Sequence, residues 1–181
     1  MKEDAENPCV GIVFATTPLD GDVASNYGSE YTAIKGYVVA LESAPTNTRL
    51  EFCAKGSDID FTGMELNKTG YENTKAFFAD ERYTNNTDKY PVIEKYLAFK
   101  TNTPTPEKSS GWYIPSINQL KEMTIGYYGF EETAKNETFV NAINAIEGAN
   151  LFVHTTTSAR YLLSSSVSNK SISPITLTNH V

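Results

Sequence analysis

The sequence predicts an α+β domain, a mixed antiparallel sheet accompanied by two to four helices. Three observations carry that expectation. Strand-like runs are confined to the two ends of the chain, apolar residues at helical spacing fill its middle, and no internal repeat or composition break divides the 181 residues. Strands, then helices, then strands is the order of an α+β arrangement. A chain of this length buries a core without disulfides or metal.

The elements follow in order. Val10 to Phe14 is an apolar run closed by Thr16-Thr-Pro18 and predicts the first strand. Asp20 to Ser29, rich in Gly, Asp, Asn and Ser, predicts a loop. Gly36-Tyr-Val-Val-Ala-Leu41 predicts a buried strand stopped near Pro45, and Arg49-Leu-Glu-Phe-Cys53 alternates with period two, as a strand with one wet face does. Gly56 to Gly70 is a second loop. Beyond it Asn73 to Arg82 predicts a short helix carrying Ala76, Phe77 and Phe78.

Asp88 is placed as an N-cap with Pro91 in the first turn, ahead of a stripe of Val92, Ile93, Tyr96, Leu97 and Phe99. Thr101 to Ser110 is a Thr/Pro/Ser connector. Ser116-Ile-Asn-Gln119 matches a capping box: the serine caps one amide and the glutamine reaches back. Ile117, Leu120 and Met123 continue that helix towards Gly126, and Phe139, Ile143 and Ile146 mark another, ended by Gly148. From Leu151 the composition returns to strand-like, with Tyr161-Leu-Leu163 among serines and threonines.

Composition excludes several functions. A hydrophobic share of 40% and a charged share of 20% belong to a folded globule. The formal net charge of −7, with Lys and Arg scattered singly, argues against nucleic acid and against an anionic membrane surface. No apolar run is long enough to span a bilayer, and Met1 to Asn7 lacks the layout of a signal peptide, which leaves open a cytosolic protein or one whose export signal lies ahead of Met1. Cys9 and Cys53 lie in strand-like stretches and read either as two buried thiols or as one disulfide between strands. Two cysteines alone fix no framework, and without a CxxC pair no zinc site is indicated.

Four segments carry a family resemblance. Gly111-Trp-Tyr-Ile-Pro-Ser116 followed by Asn118-Gln-Leu120 resembles the W-Y-L-P-S, then E-L, segment of the DUF1566-like and major-paralogue domains of Bacteroides-type surface lipoproteins and fimbrial subunits. Gly36 to Glu42 is similar to their G-x-V-V-A-L-E/K strand, Gly70 to Ala76 to their G-x-x-N-T-x-A segment, and Tyr161 to Ser166 to their Y-W-S-S-S/T-E strand. The chain departs from the pattern at Leu162, Leu163 and Val167, and at its end, where no final R-P-V strand is evident. The resemblance implies a C-type-lectin-like fold in one domain over residues 1–181. It further implies the C-terminal part of a longer protein, exported to the cell surface or outer membrane, with the export signal absent from this chain. The implied partner is a glycan or a protein, with no cofactor. The Trp112, Pro115 and Ser116 corner reads as scaffold, since local grammar accounts for every residue in it.

The sequence carries no catalytic pattern that competes with this expectation. His154 sits in a strand-like run and His180 beside the last residue, where chains fray, and no nucleophile motif accompanies either. Asp20-Gly-Asp22 and Asp58-Ile-Asp60 offer oxygen ligands, but neither has EF-hand spacing, so solvated acidic loops are expected and no metal. Phosphate-binding glycine loops are missing. The N-x-S/T triplets at Asn67, Asn85, Asn136 and Asn169 are what an Asn- and Thr-rich chain yields by chance. Among the tyrosines, the Tyr127 and Tyr128 pair is the candidate ligand contact, because a tyrosine ring stacks on a sugar face while its hydroxyl hydrogen-bonds. The leading expectation is a non-enzymatic surface or fimbrial module for adhesion or ligand binding. A carbohydrate-active enzyme or accessory using acidic residues, and a purely structural subunit, are the alternatives.

Overall fold

Strand β1 (Gly11–Ala15) pairs antiparallel with β2 (Tyr37–Ala40), and β2 pairs antiparallel with β3 (Thr178–His180), so β2 lies in the centre. This computed structural model describes residues 9–19, 21–41, 69–105, 107–116, 119, 141–143 and 145–146, and the backbone of 178–180. Helices and antiparallel strands together give the α+β class. The strand β3 closes on β2 where the sequence showed no final strand, and it takes in His180, which had been expected to fray.

All four residues of β2 are buried because this strand carries a core on each face. Alternation along the strand divides them. Val38 and Ala40 join a cluster with Phe77, Tyr83, Ile93, Phe99 and Trp112, whereas Tyr37 and Val39 join Phe14, Tyr27, Ile34, Tyr113 and Ile143. In β1, Val13 opposes Val38 while Ala15 opposes Tyr37, so one extra residue sits on β1. That bulge turns both Phe14 and Ala15 into the second cluster and leaves Val13 exposed. Just ahead of β1, Cys9 is a free and exposed thiol, not a buried one. Its predicted companion Cys53, in the expected strand 49–53, lies outside the described residues.

The helix boundaries differ from what apolar spacing suggests: α1 begins earlier, α3 begins later, and one expected helix divides in two. Helix α1 (Gly70–Ala79) opens on a capping box in which Thr69 Oγ1 accepts from Glu72 N at 3.2 Å and Glu72 Oε2 accepts from Thr69 N at 3.2 Å. At Asp80 the backbone becomes extended, and the Asp80 side chain accepts from Arg82 N at 2.9 Å to cap α2 (Glu81–Thr84). The single helix expected over Asn73–Arg82 is therefore two. Helix α3 (Pro91–Asn102) has Tyr90, not Asp88, at its N-cap position, without a side-chain cap; Asp88 lies in an exposed turn. Its buried residues are Val92, Ile93, Tyr96 and Phe99, while Leu97, expected in the same stripe, is 50% exposed. No described helix is long and apolar enough to cross a membrane.

Candidate functional site

The chain from Gly111 to Ser116 is held against α1 by side chains that satisfy backbone groups. Gly111 takes φ +85°, a left-handed conformation suited to glycine, and leads into Trp112. Trp112 is buried; its Nε1 donates to the Thr103 carbonyl at 2.7 Å, and its ring meets Phe99 edge-on with centroids 5.7 Å apart. The Trp112 carbonyl in turn accepts from the Tyr96 hydroxyl at 2.6 Å. From α1, the Thr74 hydroxyl accepts from Ile114 N at 2.9 Å and donates to the Ile114 carbonyl at 3.4 Å.

Gln119 completes the attachment. Its Oε1 accepts from Ser116 N at 2.9 Å and from Gly70 N at 3.1 Å, while its Nε2 donates to the Tyr113 hydroxyl at 3.0 Å. The Ser116 hydroxyl accepts from Gln119 N at 3.3 Å, so the reciprocal pair read from the sequence is present. One amide side chain thus caps two helix starts and fixes a buried tyrosine. Pro115 is buried between these contacts.

Trp112 and Tyr113 of this segment form the floor of a groove between α1 and α3, with a volume of about 390 Å³. The α1 wall presents Tyr71, Thr74, Lys75 and Phe78, which at intervals of three and four residues share one helical face. The α3 wall presents Tyr96, Leu97 and Lys100. Lys100 Nζ lies 5.4 Å from the centroid of the Tyr96 ring, and Phe78 packs on that ring at 4.5 Å. Lys75 and Lys100 are exposed, and neither has an ion-pair partner among the described residues. The Tyr71 ring is held by Tyr27 at 4.9 Å and by Tyr113 edge-on at 5.9 Å, and its hydroxyl makes no hydrogen bond among the described residues. The described lining contains no carboxylate and no histidine.

A second polar cluster lies across the sheet. Asp22 is buried, and its Oδ2 accepts from the Tyr27 hydroxyl at 2.6 Å and from the Tyr37 hydroxyl. Tyr37 Oη also accepts from Leu19 N at 3.2 Å. Burial, reinforced by Tyr113 and by the Asp22 hydrogen bond, pushes the Tyr27 hydroxyl far above the ordinary tyrosine range. Burial and the same carboxyl group do likewise for Tyr37. The expectation that Asp20-Gly-Asp22 is a solvated acidic loop fails at Asp22, which folds inward to close the loop onto β2. Asp20 lies outside the described residues, and no group of three or more metal-ligating side chains occurs among the described ones.

Of the expected scaffold residues, Trp112 lines the groove, while Pro115 and Ser116 are buried in the same segment outside its described lining. Tyr127, Tyr128, His154, Asp58 and Asp60 lie outside the described residues. Nothing in the sequence marks Lys75, Leu97 and Lys100 as a site, because their common property is position on two facing walls.

No protein-family model matches the chain, and no curated protein matches it. Among solved structures it is similar to a fimbrial protein from Bacteroides ovatus ATCC 8483, with a TM-score of 0.50 and 17% sequence identity. The match covers 100% of this chain and 46% of that one, so the chain spans under half the length of that protein. At this identity the likeness is one of fold. No family model carries the DUF1566-like assignment.

Proposed function

We propose that this chain is a non-enzymatic module of a bacterial surface or fimbrial assembly that contributes to adhesion by binding a glycan or protein ligand. The observation that carries the reading is the fold likeness to a fimbrial protein along the whole chain. In this reading the domain is C-type-lectin-like and forms the C-terminal part of a longer exported protein. Trp112, Pro115 and Ser116 are its scaffold, and Tyr127 and Tyr128 are one proposed ligand contact.

A groove lined by aromatic rings and a few polar groups is the usual form of a ligand site. The intact chain, screened on glycan arrays and host-matrix proteins, is expected to retain at least one ligand without cleaving it. Silence on every surface, or turnover of a bound glycan, would contradict the proposal.

A further inference from the structure

We infer that the groove between α1 and α3 binds a carboxylated oligosaccharide, with sugar rings against Tyr71 and Phe78 and carboxylates met by Lys75 and Lys100. The inference rests on the reading of the chain as a surface binding module and assigns that module's site and ligand class.

Charge is the first ground. The chain carries a formal net charge of −7, yet the groove presents two ammonium groups, one on each wall, and no described carboxylate. Neither lysine is consumed by an ion pair among the described residues. Lys100 is held over the Tyr96 ring, which keeps its charge at the groove rather than free in solvent. A lysine pair in an acidic protein suits a ligand of modest negative charge. A densely sulfated polymer would meet the repulsion of the whole chain.

Shape is the second ground. A volume of about 390 Å³ lies within the range of roughly 300–1,000 Å³ usual for small-molecule sites. Tyr71 and Phe78 stand seven residues apart on α1, two turns or about 10 Å along the wall, which suits a short chain of rings. Both side chains are half-buried and fixed by neighbouring rings, so little side-chain entropy is lost on binding. The Tyr71 hydroxyl, unengaged among the described residues, supplies a donor and acceptor for sugar hydroxyls.

Calorimetry on the intact chain with hyaluronan tetrasaccharide, and with neutral chitotetraose as control, tests this directly. Saturable binding of the first, with little of the second, is expected, weakening as salt is raised. The double variant K75Q/K100Q should lose roughly tenfold in affinity, as the removal of two exposed charge pairs implies. Leu97→Glu, which places a negative charge on the wall, should abolish binding while leaving the thermal midpoint unchanged. Equal binding of chitotetraose, preference for a sulfated heparin tetrasaccharide or for tetraglutamate, undiminished binding by the double variant, or no binding of hyaluronan tetrasaccharide would each overturn the inference. The surface-module reading would still stand or fall on the array screen, where ligands of any charge count.

Discussion

A Cβ on Gly70 would stand 2.4 Å from the Ile114 carbonyl oxygen, 2.5 Å from Gln119 Oε1 and 2.7 Å from Ser116 N. Two of those atoms are backbone, so the chain itself would have to shift. Gly70→Ala is therefore expected to destabilise by about 2–3 kcal/mol despite alanine's better helix propensity, as overpacking does. Equilibrium urea unfolding would read this; a neutral or stabilising result would mean that the segments are not so closely apposed. The buried tyrosines give a second expectation. Burial raises the hydroxyls of Tyr27, Tyr37 and Tyr96 above the ordinary value of 10.0. The unfolded chain releases these protons near pH 10 and the folded chain holds them. Their contribution is thus intact below about pH 10 and lost above it, at about 1.4 kcal/mol per pH unit per tyrosine. Urea midpoints should be level to about pH 9.5 and fall steeply beyond pH 10, and Tyr37→Phe should make that fall shallower.

At the scale of elements, the contacts of Gln119 join the start of α1 to the 113–116 segment. Gln119→Leu keeps the volume but leaves two buried amides and a phenol without that partner, a loss of about 3 kcal/mol that Gln119→Glu should partly restore. Thermal unfolding of the two variants checks it, and equal midpoints would contradict the assignment. Much of this level was legible in the sequence. The apolar runs located β1 and β2 to within a residue or two, and Ser116-x-x-Gln119 announced its own cap. The matching Thr69-x-x-Glu72 signal was present but was hidden by Gly70, which reads as a loop end and is required for close approach. Asp88 has the chemistry of a cap, yet Pro91 fixes the start of α3 two residues later. Asp22 looked solvent-bound because its partners, Tyr27 and Tyr37, meet it only after the loop folds back on the sheet.

In the whole molecule, β2 is shared by two cores, and the α1–α3 groove opens beside the helical one. Leu97 shows why that groove was illegible: helical periodicity assigns it to the core, and only the packing of α3 against α1 and Trp112 turns it outward. The half-exposed leucine and the two exposed lysines are where the proposed ligand would sit. The claim on which this depends is that the domain faces the outside of the cell. Labelling intact cells of the source organism with a membrane-impermeant amine reagent tests it most directly. The protein should be modified, and should be removed by added protease, before the cells are broken. Protection from both until lysis would contradict the account.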